Sequence, residues 1–273
     1  MTMPNFNYRG LALSRAGRIG VLAAVAAGFV LSAFLLPPIA QPIAYHEFAD
    51  ARAFLGIPNF LDVLTNLPFL YVGVAGLAFL LRDPRAKPAF HDPAEKWPYA
   101  LLFLGVAMVS AGSAFYHLAP DNARQVWDRL PMTVGFMSFV AAMVAERVNV
   151  NAGVRLLAPL VALGAASVVW WRLSAAWGVE NLLPYMAVQY GSIAIVLLIA
   201  MLFPSRYTRA NDIYWVVALY AAAKVAESLD NEIYSLGAIL SGHSLKHLIA
   251  AGAVYQILWM LKARSINIRE ATP

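Results

Sequence analysis

The chain contains no cysteine. That excludes a disulfide scaffold, a thiolate metal site and a cysteine nucleophile. It is also poor in charge. Only 13% of its 273 residues are Asp, Glu, Lys or Arg, where an ordinary soluble domain has about 25%. Histidine occurs five times. What fills the space is apolar: 61% of the residues, against roughly 45–50% in soluble domains. A folded sphere of this size leaves too much of itself in water to hide so many apolar side chains. The shortage of charge excludes a disordered chain, a nucleic-acid module and an ordinary cytosolic enzyme. It points to a protein dissolved in lipid, with no nucleic-acid partner and no evident protein partner.

Eight apolar runs are long enough to cross a bilayer, which takes about 20 helical residues. They cover roughly residues 18–38, 60–81, 98–118, 127–146, 154–171, 183–203, 213–231 and 243–261. Turn and polar material separates them, such as Pro37-Pro38, Pro120-Asp121-Asn122 and Asn149–Gly153. Only helices or closed barrels satisfy a backbone inside lipid. Runs of this length without strict alternation predict helices, so the expected fold class is an all-α polytopic membrane bundle. Arg9, Arg15 and Arg18 precede the first run, as in a signal peptide. Its apolar stretch is longer than the ~7–15 residues of a signal core, which favours a retained helix.

Lys and Arg concentrate in cytoplasmic loops. With the N-terminus inside and the eight runs alternating, fourteen of the twenty Lys and Arg fall on inside segments. Four fall outside: Arg52, Arg124, Arg129 and Arg172. Both termini are expected in the cytoplasm, in the inner membrane if the cell is bacterial. The net charge of +5 is then mostly topological.

Ionisable residues at membrane depth are costly and are functional candidates by default. This topology brings His117, His243 and His247 to one depth, near the outer face. His243 and His247 are four apart and share a helix face. Two such imidazoles plus a third from a facing helix make a three-histidine zinc site with an open fourth position. Ser113 shares a face with His117, and Asp128 starts the next run at the same depth. Each residue also has a plain role. Ser113 is a small packing residue beside Gly112, and Asp128 pairs with Arg124 or Arg129, or caps its helix. A second polar group, Lys224, Glu227, Asp230 and Glu232, marks the seventh run. Glu227 or Asp230 is a possible partner for a ligating imidazole, Asp230 and Glu232 are expected to be solvated, and Lys246 to point away from the two histidines beside it.

Ser113-Ala-Phe-Tyr-His117, then Asp128, then His243-Ser-Leu-Lys-His247 resembles the signature of the alkaline ceramidase family. That family shares a superfamily with the adiponectin-type receptors and the haemolysin-III-like proteins. The stretch from Asn59 to Asn66 is similar to the family's first core helix. The resemblance implies a seven-helix ceramidase-like core over residues 41–262. Residues 1–40 would form a cytoplasmic start and an extra transmembrane helix, and 263–273 a cytoplasmic tail. It implies Zn2+ held by His117, His243 and His247, with Asp128 acting on the zinc-bound water and Ser113 assisting at the oxyanion. It implies a ceramide-like membrane lipid as substrate, hydrolysed at its amide to a sphingoid base and a fatty acid. One feature departs. The animal enzymes carry a calcium site that includes a Trp ahead of the first core helix; Tyr45–Asp50 lacks it, and Asn59 stands where the family has Glu. Glu47, Asp50 and Asn59 still offer oxygen ligands, so Ca2+ stays an open question. Two other readings stand beside the amidase: a receptor of the same superfamily with a structural zinc, and a membrane protein with haem between two histidines.

Overall fold

The computed structural model describes residues 13–267. Among them there is no β-strand. The long helices are α1 (Arg15–Leu35), α3 (Leu67–Arg82), α4 (Lys96–Leu118), α5 (Asn122–Arg147), α6 (Val150–Ala176), α7 (Leu183–Leu202), α8 (Asp212–Ser228) and α10 (Gly242–Ala263), with short α2 (Phe60–Leu64) and α9 (Asp230–Ser235). The chain is an all-α polytopic bundle, and seven of its helical segments are long and apolar enough to cross a membrane. The eighth expected crossing is shorter. α8 ends at Ser228 and the chain turns through Leu229 into α9, leaving 17 helical residues where 213–231 was expected.

The helix starts follow local chemistry. Ser14, Asp121, Asn149 and Ser241 each accept an orphan backbone N–H of the turn they open, as good N-caps do. α1 stops before Pro37-Pro38, since the residue ahead of a proline avoids the helical region. Pro68 sits in the first turn of α3 and cannot donate a backbone bond, so the span bends there. Side chains add hydrogen bonds to carbonyls of the preceding turn. Thr65 Oγ1 donates to the Leu61 carbonyl at 2.7 Å, and Asn66 Nδ2 donates to the Asp62 carbonyl at 2.7 Å.

α3, α4, α5, α7, α8 and α10 pack in that order into a closed ring, α10 returning to α3. α6 lies outside, mainly on α5, and α1 lies on α7, where Phe29 covers Gly191. One half of the ring is filled by fully buried Tyr99, Phe103, Met143, Ile199 and Leu261. The other half encloses a cavity of about 430 Å³.

Candidate metal centre

Three helix ends meet where the cavity opens: the last turn of α4, the first turns of α5 and the first turns of α10. Close backbone approach sets this meeting. A Cβ on Gly112 would stand 1.9 Å from the Trp127 carbonyl oxygen, so only glycine lets α4 and α5 touch there. A Cβ on Gly242 would stand 2.2 Å from the Ala226 carbonyl oxygen, so α10 starts pressed against the end of α8. The first approach turns Ser113 toward the Asp128 carboxylate. The second sets the backbone N–H of His243 on Asp230 Oδ1 at 2.6 Å.

His117 from α4 meets His243 and His247 from α10. Their ring centroids are 4.8 Å apart for His117–His243, and 5.0 Å for His117–His247 and His243–His247. One ligand nitrogen from each lies within 4.8 Å of the others, and all three rings are buried. Among the described residues, no other group of three or more His, Asp or Glu side chains comes together in this way. Phe48 closes over His117 and His243, with centroids 4.7 and 4.5 Å away.

The surroundings orient two of these imidazoles through hydrogen bonds. Thr65 Oγ1 lies 2.9 Å from His247 Nδ1. Its one proton is used on the Leu61 carbonyl, and the Asp62 carbonyl also bonds to the ring. His247 therefore donates from Nδ1 and keeps a lone pair on Nε2. Lys246 Nζ lies 2.9 Å from His243 Nε2; an ammonium only donates, so that nitrogen is an unprotonated acceptor. His117 Nδ1 is buried without a hydrogen-bond partner among the described residues, which costs free energy unless a ligand meets it. Asn59 Nδ2 holds the His117 carbonyl at 2.8 Å. Three convergent, buried imidazoles make a donor set that fits a metal ion, His243 exchanging its contact with Lys246 for the ion. The rings touch edge to face and leave no slot for a porphyrin between any two.

The residues expected to form the site lie together at this end of the bundle, while Arg9 lies outside the described residues. Ser113, Asp128 and His247 line the cavity, and His117 and His243 cluster with His247. Lys246 differs from its expected place. It does meet an acidic residue of α8, Glu227 Oε1 at 3.0 Å, but it also bonds to His243 instead of pointing away, because i and i+3 share a helix face. Neither Glu227 nor Asp230 touches an imidazole. Glu227 is occupied by Lys224, Lys246 and the Tyr45 hydroxyl. Asp230 is not simply solvated, for it accepts the N–H groups of His243 and Ala49. Of the oxygen ligands considered for calcium, the Asp50 carboxylate is taken by Arg52, while Asn59 uses only its Nδ2, on the His117 carbonyl.

Sequence reasoning missed Thr65, Asp62 and Arg129 as parts of the site. Asp62 is buried, accepting from Ser244 Oγ at 2.5 Å while its Oδ2 has no partner. Both Thr65 and Asp62 lie within the Asn59–Asn66 stretch whose odd polarity inside an apolar run was the available signal. Downward from the metal centre the cavity turns apolar, along Val106, Phe139, Val254 and Ile257.

No curated protein matches the chain. A sequence model described as Ceramidase matches residues 56–272, most of the chain and every helix of the ring. Such membership supports a hydrolase of amide bonds and a lipid substrate. The bundle, the buried histidine cluster and this match agree, and the chain belongs to the Ceramidase family.

Proposed function

We propose that the protein is a zinc-dependent intramembrane amidase that hydrolyses ceramide-type N-acyl sphingoid lipids to a sphingoid base and a fatty acid. The observation that carries this is the adjacency of the histidine cluster to a cavity with one polar end and one apolar depth. His117, His243 and His247 would hold zinc, which when bound supplies Lewis acidity at the amide and lowers the pKa of water. Asp128 takes a proton from the attacking water and returns it to the leaving amine, a transfer its place on the cavity wall allows. Ser113, beside it, donates to the oxygen on which charge develops. Tyr45 and Gln41 close the polar end, and the apolar depth holds the acyl chain away from water. The fatty acid gains the water oxygen and the amine gains the proton, so the reaction balances.

The Lys and Arg distribution supports cytoplasmic termini and a site at the outer face. The cysteine-free sequence suits a direct check: single cysteines placed at Arg124 and at Arg206 should react with an impermeant thiol reagent from opposite sides.

A panel of lipid amides incubated with the purified protein tests the activity. Ceramide should release fatty acid, and Asp128→Asn should keep the metal while losing about a hundred- to ten-thousandfold in turnover. Full turnover in that variant would refute the proton transfer. A metal-loaded protein inert toward every amide would leave a structural zinc site, the receptor reading.

A further inference from the structure

Five charged side chains line the cavity, three cations and two anions: Arg129, Lys224 and Lys246 against Asp128 and Glu227. All are at the polar end. Glu227 serves both lysines and also accepts from Tyr45, so one carboxylate is shared among three donors. Each ammonium has three donors and keeps some free; the lysine side chains are 31% and 18% exposed. Arg129 is buried. Its Nη2 donates to Gln41 Oε1 at 2.5 Å, but its Nη1 has no acceptor among the described residues. The guanidinium lies 4.4 Å from the Trp171 ring centroid and 4.6 Å from that of Tyr185. Those faces hold the cation in place but do not supply the missing acceptor. A neutral head group needs none of this. An orphaned buried guanidinium nitrogen and two under-used ammoniums on one cavity wall are a receptor for anionic oxygen.

We propose, resting on the amidase reading, that the preferred substrate is an anionic lipid amide. Its acyl chain fills the apolar depth, and a carboxylate or phosphate on the head-group side of the amide meets Arg129, Lys224 and Lys246. Arg129 supplies planar, directional donors for such oxygens, and the lysines act as point charges.

The test uses the full-length, metal-loaded protein with three substrates of equal acyl chain: N-palmitoylsphingosine, its 1-phosphate, and N-palmitoylserine. One or both anionic amides should show a kcat/KM about tenfold or more above the neutral one, carried by KM, as charge-assisted hydrogen bonds predict. The arm that gains identifies phosphate or carboxylate. Lys224→Gln should remove most of the preference and Lys224→Arg restore it, at a partly exposed position, with a melting curve confirming that each variant is folded. A binding arm needs no turnover: hexadecyl phosphate should raise the melting temperature and hexadecanol should not. Equal kcat/KM for all three amides, or equal stabilisation by phosphate and alcohol, would overturn the anion site while leaving the amidase intact. Selective binding of hexadecyl phosphate with no amide cleaved would support the anion site and sink the amidase. Preference for anions unchanged in Lys224→Gln and in Arg129→Gln would place the selectivity elsewhere and refute this wall as its source.

Discussion

At the end of the bundle far from the histidines, Arg264 Nη1 meets Glu146 Oε2 at 2.6 Å, and the Tyr99 hydroxyl donates to the same oxygen at 2.7 Å. Arg147 caps the Ala200 and Phe203 carbonyls at the end of α7, and Tyr207 donates to Glu95 at 2.5 Å. Arg264 also stacks on the Tyr207 ring, 4.0 Å from its centroid. None of these side chains lines the cavity. At the histidine end the residue types are similar, with carboxylates, cations and tyrosines, but five charged groups face open volume. Buried charge alone does not mark a site. Charge packed against a partner locks helix ends together, and charge facing a cavity is available to a ligand.

The contrast predicts that variants at the two ends fail in different ways. The largest effect is expected at the ligands. His243→Ala should lose bound zinc, and turnover should fall on the order of a thousandfold or more, while the unfolding transition of the metal-free protein stays near that of the metal-free parent. Metal analysis beside a melting curve reads both. Glu146→Gln should do the reverse. It leaves Arg264 buried and unpaired, which costs about 3–5 kcal/mol of stability, and metal content per folded chain should hold. If Glu146→Gln released the metal without destabilising the bundle, the division between the ends would be wrong. A smaller effect is expected at Thr65→Val, which removes the acceptor fixing the His247 tautomer; zinc affinity should weaken about 10–100-fold in a competition titration with a chelator. The least is expected at Arg52. Its hydrogen bonds hold the Asp50 carboxyl below the usual carboxylate range. A carboxyl held low contributes stability that is fully present above its ordinary pKa and is lost as pH falls through the lowered value. Arg52→Ala should therefore lower the melting temperature at neutral pH and leave it unchanged under strongly acidic conditions.

How much of this was legible in the sequence depends on where each signal lives. The ring of helices was readable because apolar length is a property of the chain itself. The histidine trio was readable because i, i+4 spacing and alternate crossings bring three residues to one depth without any knowledge of packing. Glu146 and Arg264 were not. Their 118-residue separation carries no local pattern, and Arg147 and Arg264 count equally well as markers of the inside. The length of α8 was overestimated because the apolar run continues through Leu229, while the turn into α9 is set by tertiary contact. Thr65 was hidden for another reason: its role follows from the bend at Pro68, and a bend's direction is decided by what packs around it.

The segment between α1 and α2 gives the bundle an unexpected boundary. Ile39, Gln41, Pro42 and Tyr45 belong to the cavity wall, and the Ile39 carbonyl accepts from the Leu182 N–H at 2.8 Å. The family match starts at residue 56. A protein trimmed to the matched residues would keep all three histidines yet have a breached chamber, lacking Gln41 against Arg129 and Tyr45 against Glu227. The matched segment and the wall of the cavity therefore begin at different points along this chain.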